Sequence, residues 1–479
     1  MLRLYDTAAR AVMPIEPAES GHLRIYACGP TVYRDAHVGN MRTFLLPDLI
    51  ARTAHARGLR VTITQNITDV GHMLDDTGLG SSGAVDEGQQ GEDRMLAAAD
   101  SAGGSALAIA REFEARFVAD CERLGIGAPK HLPRASECIP LMIALIGTLI
   151  EKGHAYIGGD GSVYFDATSV SDYGAISGNR LDALKPGHRF EGGVDPNKRF
   201  HADWALWKRA PHSRTQLVWD TPWGIGFPGW HIECTAMLLE FLGESVDIHT
   251  GGIDLRFPHH EDERAQTNAA VGQDVVRHWV HGEHLLFEGR KMSKSAGNVV
   301  LVEDLVTRGI DPRALRLAFL QTHYRTQVDL SWAAVEAAAK LLRKWRQTVA
   351  IATWQPSHVD QRMVNQVLEM FEDDLTTASA IVVLRQFEKD ESIDISVKAA
   401  TLAVCDELLG LDLTMSQPAT LLHTADVVPD DVAALLAQRS LARDSRDWAQ
   451  SDVIRDELAT LGWTVTDEAG GQSLRRSRN

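Results

Sequence analysis

The sequence predicts an α/β fold: a Rossmann-type, doubly wound parallel sheet with an insertion, followed by a helical domain and a small C-terminal unit. Residues 22–29 (HLRIYACG) have the apolar character of a buried strand, residues 41–57 favour a helix, and residues 60–66 (RVTITQN) alternate like a second strand. That order is typical of a βαβ unit. Beyond residue 330, segments such as AAVEAAAKLLRKWRQTVA have the spacing of amphipathic helices.

Length and composition indicate a globular protein. The chain has 479 residues, of which 44% are hydrophobic and 24% charged, enough to bury a core in each of two to four domains. The N-terminal residues lack an apolar stretch of signal-peptide length. The longest apolar run, residues 139–150 (IPLMIALIGTLI), is too short to span a bilayer. We therefore expect a cytoplasmic enzyme.

Cysteine content and net charge further narrow the class of protein. The five cysteines are odd in number and widely scattered, which favours reduced thiols, some of them metal ligands, over a disulfide framework. The chain has 65 Asp and Glu against 48 Lys and Arg, a net charge of −17. This excess argues against adhesion to nucleic acid over the whole surface but leaves room for a local basic patch.

Two short motifs suggest a nucleotide site. Residues 291–295 (KMSKS) lie between glycine-containing turns, where two lysines and two hydroxyls can close over a polyphosphate. Alone, this motif would usually be a solvated loop. HVGN, residues 37–40, follows a predicted strand and opens a predicted helix, the place where phosphates bind. His37 can donate to a phosphate oxygen, and Gly39 lets a flat base approach the backbone.

In combination, these motifs make the chain resemble the class I aminoacyl-tRNA synthetases, whose signatures are a HIGH-type turn and KMSKS. Asn40 stands where many members have a second histidine. Asparagine offers a donor and an acceptor of similar reach, so we interpret it as a tolerated variant.

A second constellation suits a metal ion. Cys234 lies on a predicted helix (PGWHIECTAMLLEFLG), and Pro258 opens another, which places His259 and Glu263 four residues apart on one face. With Cys28 they give two thiolates, one imidazole and one carboxylate, a set that suits zinc. The alternative for each residue alone is an ordinary buried thiol at Cys28 and a helix cap at His259 and His260.

GPTVY, PGWHIEC, FPHHE and KMSKS occur in an order that resembles the cysteinyl-tRNA synthetase family over the whole chain. The resemblance implies that Cys28, Cys234, His259 and Glu263 hold one zinc ion, which takes the thiolate of the substrate. Zinc binds a thiol far more readily than an alcohol, whereas pocket shape discriminates poorly between the near-isosteres cysteine and serine. An editing domain is then unnecessary.

The resemblance also implies the remaining site residues. Residues 66–69 (NITD) face the amino-acid pocket; Trp230, with a core role as the alternative, and His249 lie near the bound amino acid. The catalytic residues are implied to be His37, Asn40, Lys291 and Lys294. The ATP-binding residues are implied to be His37, Gly39, Asn40, Gly251, Gly252, Asp254, Lys291, Ser293 and Lys294. The substrate-binding residues are implied to be Thr68, Trp230 and His249.

The implied reaction joins L-cysteine to tRNA(Cys) in two steps. ATP and Mg²⁺ support formation of cysteinyl-adenylate and pyrophosphate, and the 3'-terminal adenosine of the tRNA then takes the cysteine. Electrostatic stabilisation by the lysines suffices, without a covalent protein nucleophile. A first alternative is a mycothiol-pathway type ligase that joins activated cysteine to a small amine. A second is a non-catalytic binding or regulatory protein.

The C-terminal segment is compatible with RNA binding. It contains Arg439, Arg443, Arg446 and Trp448, and it ends in Arg475, Arg476 and Arg478. Basic side chains beside an exposed aromatic suit an unstacked RNA loop, although an amphipathic helix with solvated arginines accounts for this segment equally well. Its similarity to the anticodon-reading unit of the family favours RNA.

We predict a monomer with five parts and no membrane contact. Residues 71–92, rich in glycine, serine and acids, are predicted to form a mobile loop within the first part. The parts are the first half of the Rossmann catalytic domain (1–130), a connecting insertion (131–200), the second half with KMSKS (201–330), a tRNA-binding helical bundle (331–415), and a linker with a small anticodon-recognition unit (416–479).

Overall fold

A computed structural model describes residues 1–70, 93–102, 104–184, 195–292, 298–414, 430–444, 447–461, 463–468 and 471–476. The chain divides into two compact units, Met1–Met415 and Ser416–Asn479. The predicted loop at residues 71–92 and nearly all of the predicted linker lie outside the described residues. Within the described part of the chain, no helix is both long and apolar enough to cross a membrane.

The first unit begins with a hairpin and a βαβ unit. The elements are β1 (Arg3–Asp6), β2 (Ala11–Pro14), β3 (His22–Ala27), α1 (Val38–Ala56) and β4 (Arg60–Gln65). Strands β3 and β4 pair in parallel, as the predicted strand–helix–strand order requires. Helix α1 runs through Pro47, since its long buried face outweighs one missing hydrogen bond. The predicted βαβ unit is thus present.

Three helices and an antiparallel sheet follow. They are α2 (Arg94–Ala102), α3 (Ala106–Leu124), α4 (Ile139–Glu151), β5 (Ala155–Ile157), β6 (Val163–Phe165), β7 (Trp204–Arg209) and β8 (Gly226–Pro228). The four strands pair in the order β5-β6-β7-β8. The predicted end of the insertion at residue 200 therefore needs correction: the inserted sheet continues to Pro228, because β7 pairs with β6 and β8 with β7.

The chain then returns to the parallel sheet. The elements are α5 (Trp230–Leu242), β9 (Val246–Gly252), α6 (His259–Val271) and β10 (Val276–Gly282). All pairs in the order β10-β9-β3-β4 are parallel. From β3 the chain crosses to β4 on one side, and from β9 it crosses to β10 on the other. The carboxyl ends of β3 and β9 therefore flank a topological switch point, where such sheets bind ligands.

A small sheet and a helical bundle complete the first unit. The elements are β11 (Leu285–Phe287), β12 (Arg290–Lys291), α7 (Val302–Thr307), α8 (Arg313–Leu320), β13 (Val328–Leu330), α9 (Trp332–Ile351), α10 (Gln361–Glu372), α11 (Thr377–Lys389) and α12 (Ile395–Leu409). Strand β11 lies between β12 and β13. This succession of helices after residue 330 agrees with the amphipathic spacing of the sequence.

The fully buried Arg316 of α8 joins α1 to the bundle. Its guanidinium donates to Asp48 Oδ2 of α1 at 2.7 Å, to the Leu409 carbonyl at the end of α12 at 2.5 Å, and to the Gly125 carbonyl after α3 at 2.8 Å. Carbonyls at helix C-termini lack intrahelical partners, and a cation there also complements the helix dipoles. One side chain thereby ties three helices together.

The second unit is small and has its own core. It contains α13 (Asp430–Asp444), α14 (Trp448–Thr460), β14 (Trp463–Glu468) and β15 (Gly471–Arg476), the two strands pairing antiparallel. Its core consists of Val432, Ile454, Leu458, Trp463 and Val465.

Candidate functional site

The site lies at the carboxyl edge of the parallel sheet, at the switch point. Cys28 directly follows β3, and its N–H donates to the Thr250 carbonyl of β9 at 3.1 Å. Strand β9 ends in Gly251 and Gly252. The segment after β3 leads into α1, which begins after its N-cap, His37. Residues expected to meet the amino acid and the nucleotide therefore share one edge.

Cys28, Cys234, His259 and Glu263 come together as the sequence predicts. One ligand atom of each lies within 4.8 Å of the others, and all four residues are buried. Helix α5 supplies Cys234, and the first two turns of α6 supply His259 and Glu263, whose Nε2 and Oε1 are 2.8 Å apart. Two thiols, one imidazole and one carboxylate form a donor set that zinc prefers.

A second, overlapping group shares two of these residues. Cys28 and Glu263 also lie within 4.8 Å of His249 and His260. His260 Nε2 is 3.3 Å from Cys28 Sγ, and its Nδ1 is 2.8 Å from His281 Nε2 of β10. From the sequence alone, His260 is expected only to cap a helix. The adjacent histidine pair was the feature of the sequence that could have indicated a site role for His260, because the imidazole of this second histidine points toward the same sheet edge.

The charges of this cluster are strongly coupled. Burial disfavours a charged imidazole, but Glu263 and Cys234 outweigh it and raise the pKa of His259 to about 10. Burial likewise opposes ionisation of Glu263, yet His259 and His249 hold its pKa well below the usual range. Burial raises the pKa of the Cys28 thiol. Burial acts in the same direction on Cys234, but hydrogen bonding with Cys28 and then His259 lowers its pKa.

A further feature fits a cation. Glu263 Oε2 is buried and 2.8 Å from His249 Nε2, but neither atom has a partner of hydrogen-bond geometry among the described residues. A buried carboxylate such as Glu263 needs a nearby positive charge to compensate it. The proton on His259, 2.8 Å from Glu263 Oε1, supplies that charge, and a metal ion held by Cys28, Cys234, His259 and Glu263 would replace it.

The two signature motifs contact one another. The Val38 N–H donates to the Val300 carbonyl at 2.9 Å, and His37 forms a β-bridge with Leu301, a few residues after KMSKS. The Met292 methyl lies against Gly39, where an added Cβ would be 2.9 Å from it. Lys291 is exposed at the end of β12, while Ser293 and Lys294 lie outside the described residues.

His37 and Asn40 form a capping box at the start of α1. His37 Nδ1 accepts the Asn40 N–H at 3.2 Å, and the Asn40 side-chain oxygen accepts the His37 N–H at 3.1 Å. Burial, reinforced by Arg34, lowers the pKa of His37 to about 4. The ring is therefore neutral at pH 7 and carries its proton on Nε2, so it can donate a hydrogen bond outward.

The remaining predicted residues lie around this edge. Thr68 is buried and its Oγ1 accepts from Asn66 at 3.1 Å. Trp230, half-buried, stacks on His259 with ring centroids 4.2 Å apart. Asp254 is exposed in the 3₁₀ helix Ile253–Arg256 that follows β9. A Cβ at Gly251 would lie 2.6 Å from the His260 ring, so this glycine makes room for an imidazole as well as for the expected nucleotide.

The C-terminal unit differs in part from the expected basic surface. Trp448 is 56% exposed, and the Arg443 guanidinium lies 5.5 Å from its ring centroid. Arg439 is only 2% exposed and cannot present its charge to a ligand, which corrects the expectation for that residue. Arg446 and Arg478 lie outside the described residues, and the side chains of Arg475 and Arg476 are not described.

Comparison with known families identifies the chain. Residues 14–340 match the family model described as "tRNA synthetases class I (C) catalytic domain", and residues 425–475 match that of the "Cysteinyl-tRNA ligase anticodon binding domain". The chain belongs to the cysteine–tRNA ligase family. This membership confirms the resemblance drawn from the motifs and the class I synthetase assignment. The small-amine ligase is not favoured, because the anticodon-binding family model covers the C-terminal unit.

Relatives that align over nearly the whole chain support membership of the cysteine–tRNA ligase family. A "Cysteine--tRNA ligase" of Thermus thermophilus is 38% identical over 495 residues, covering 100% of both chains. A "Cysteine--tRNA ligase 1" of Burkholderia lata is 40% identical, covering 99% of this chain and 96% of its own.

Solved structures of low identity share the fold. Methionyl-tRNA synthetase of Mycobacterium tuberculosis, in complex with methionyl-adenylate, matches with a TM-score of 0.54 and 15% identity, over 81% of this chain and 90% of its own. A ternary LeuRS–tRNA–LeuAMS complex of Agrobacterium radiobacter matches with a TM-score of 0.56 and 12% identity, over 83% and 84%. These confirm the predicted class I architecture.

Proposed function

We propose that this chain activates L-cysteine with ATP and then transfers the cysteine to the 3'-terminal adenosine of tRNA(Cys). One observation carries the proposal: a buried cluster of two thiols, an imidazole and a carboxylate lies at the sheet edge that also holds the contacting signature motifs. A thiol-selective pocket next to a nucleotide site is the arrangement that cysteine activation requires.

Cys28, Cys234, His259 and Glu263 are proposed to hold one zinc ion. When bound, zinc supplies a Lewis acid that favours a thiolate over an alcohol, and thereby cysteine over serine. The set with His249 and His260 contains one sulfur instead of two, and we prefer the set with two because soft thiolate ligands favour zinc. His249 then remains beside Glu263, and Trp230 covers the His259 ring, where both can contact the amino acid. Thr68, buried next to Asn66, is proposed to line the same pocket.

The residues expected to contact ATP are proposed to act by electrostatic stabilisation of its phosphates. The neutral His37 donates from Nε2 to a phosphate oxygen, and the N-terminus of α1 adds its partial positive charge. Lys291 and Lys294, with Ser293, stabilise the charge on the departing pyrophosphate, with Mg²⁺ accompanying ATP. Gly39, Gly251, Gly252 and Asp254 surround the expected adenosine. Asn40 acts through His37 by orienting its ring.

The second unit is proposed to bind the anticodon stem-loop of the tRNA. The exposed Trp448 offers a stacking surface for an unpaired base, and Arg443 beside it supplies positive charge. The helical bundle after residue 330 is proposed to contribute to tRNA binding as well. We propose a monomer that works in the cytoplasm.

Pyrophosphate exchange and tRNA charging test the proposal. We expect exchange that depends on cysteine, fails with serine, and is lost in Cys234→Ala. Charging of a tRNA(Cys) transcript should follow. Exchange supported by serine at a similar rate would refute selection by the metal. Adenylate formation without charging of a cognate transcript would instead favour a small-amine acceptor. Cys405→Ala, at a buried thiol on α12, is the matched control and should retain exchange.

A further inference from the structure

The inserted segment is docked on the first turns of α6. The N–H groups of Ile176 and Ser177 donate to Glu261 Oε2 at 3.1 and 2.8 Å. Asp172 Oδ2 lies 2.5 Å from the Arg264 guanidinium. These contacts hold the loop at residues 172–177 against the helix that carries His259 and Glu263, so the insertion can influence how those side chains are oriented.

A buried chain of polar side chains continues from this loop to His259. Tyr173 Oη donates to Asp262 Oδ1 at 2.5 Å, and Asp262 Oδ2 lies 3.3 Å from His231 Nε2. His231 Nδ1 is 2.7 Å from His259 Nδ1. All four residues are at most 9% exposed. We call Tyr173, Asp262 and His231 the outer chain.

The outer chain can hold its protons in two arrangements. In both, His259 Nε2 carries a proton that faces Glu263 at 2.8 Å. In the first, Asp262 is a carboxylate, His231 donates to it from Nε2, and His259 donates from Nδ1 to His231 Nδ1, so loss of the Nε2 proton leaves a neutral imidazole with a lone pair. In the second, the same protons are shifted, so that Asp262 donates to His231 Nε2 and His231 donates from Nδ1 to His259 Nδ1, and His259 could free Nε2 only as an imidazolate. A metal ion therefore binds readily only to the lone pair that the first arrangement provides.

From this geometry we infer that the outer chain positions His259 as a metal ligand, and that a loop of the inserted segment thereby helps to fix the His259 ring and its Nε2 lone pair. The inference rests on the proposed zinc site and adds to it three positioning residues that do not touch the ion. Groups that hold the second nitrogen of a ligand histidine commonly govern both its tautomer and its basicity. The insertion thereby acquires a role in the metal centre.

Zinc affinity of the full-length protein tests this inference, measured by competition with a chromophoric chelator. Asp262→Asn forces an amide N–H toward either His231 or Tyr173, where the carboxylate only accepts. We expect zinc affinity to fall about 10- to 100-fold. Tyr173→Phe removes one donor to Asp262 and should weaken zinc about 10-fold. The visible absorption of the Co²⁺-substituted protein should change in both variants, since it reports ligand geometry.

Tyr156→Phe is the matched control. Tyr156 Oη donates to Asp203 Oδ2 at 2.5 Å within the same inserted segment, and no hydrogen bond links this pair to His259 in the part of the chain that the structure describes. It should bind zinc and Co²⁺ like the wild type. Equal weakening in all three variants, or wild-type affinity in both outer-chain variants, would overturn the inference. A wild-type protein that retains no zinc would instead refute the zinc site itself.

Discussion

His37 and Asn40 hold each other at the start of α1, with the His37 Nδ1 accepting the Asn40 N–H at 3.2 Å and the Asn40 Oδ1 accepting the His37 N–H at 3.1 Å. This exchange assigns the ring proton of His37 to Nε2. Asn40, which stands where many class I synthetases have a second histidine, therefore has a structural role: it closes a capping box and orients His37.

His37→Asn should separate capping from catalysis. Asparagine is a good N-cap, so α1 should keep its start and the unfolding midpoint should stay near that of the wild type. The outward N–H of Nε2 is lost, and we expect kcat for cysteine-dependent pyrophosphate exchange to fall about 100-fold. Exchange within a few-fold of wild type would show that His37 makes no important phosphate contact.

Zinc affinity should rise with pH. His259 has a pKa raised to about 10 by Glu263 and Cys234 against the effect of burial, and burial raises the pKa of the Cys28 thiol as well. At pH 7 to 9 both groups hold protons that the metal must displace, so higher pH removes the competitor. We expect at least about a tenfold gain in affinity per pH unit in this window, measured by chelator competition. A flat profile would contradict a protonated His259.

Gly39→Ala should disturb the contact between the two signature motifs. An added Cβ would lie 2.9 Å from the Met292 methyl and 3.0 Å from the His37 ring, so Met292 must move away from α1. We expect kcat for pyrophosphate exchange to fall about 10- to 100-fold with little loss of stability. Gly147→Ala in α4 has nothing within 4 Å of the new Cβ and should leave exchange unchanged. Equal activities of the two variants would refute the prediction.

Arg316→Met should strongly destabilise the first unit. The substitution leaves the buried Asp48 carboxylate with one fewer cation and removes donors from the carbonyls that end α3 and α12. Breaking a buried ion pair costs about 3–5 kcal/mol of unfolding free energy. Urea unfolding measures this loss. Arg362→Met, at a side chain 96% exposed and 3.9 Å from Asp360, should change stability by less than about 0.5 kcal/mol.

Trp448→Ala should weaken tRNA binding without affecting cysteine activation. Stacking of one base on an aromatic ring contributes about 1–3 kcal/mol, so KM for tRNA(Cys) in charging should rise about 10-fold. Pyrophosphate exchange, which needs no tRNA, should be unaffected. Val453→Ala removes a similarly exposed apolar side chain from the same helix and serves as control. A tRNA KM equal to wild type in Trp448→Ala would exclude the stacking role.

The sequence was sufficient to predict the βαβ unit and the grouping of the four side chains proposed to hold zinc. The periodicity of residues 22–66 predicts β3, α1 and β4 because each element is buried in a way that its own pattern shows. Cys28, Cys234, His259 and Glu263 could be selected because the motifs around them resemble a known family, and the structure brings their side chains together.

Features that depend on long-range packing could not be predicted from the sequence. The inserted sheet extends to Pro228 because β8 pairs with β7, a choice of partner that no local pattern records. His260 joins the cluster because β10 places His281 beside it. Arg439 is buried although its sequence surroundings are those of a solvated arginine. In each case a tertiary neighbour decides the environment.

The separation of the metal-cluster residues along the chain has a consequence for biosynthesis. Cys28 and Glu263 are 235 residues apart and meet only where β3 lies beside β9. Closing so long a loop costs entropy that local contacts cannot offset, so we expect this pairing to form late in folding. A ribosome must release residue 263 before the four side chains can converge. Stable binding of the proposed zinc ion would therefore mark a nascent chain whose two half-sheets have already paired.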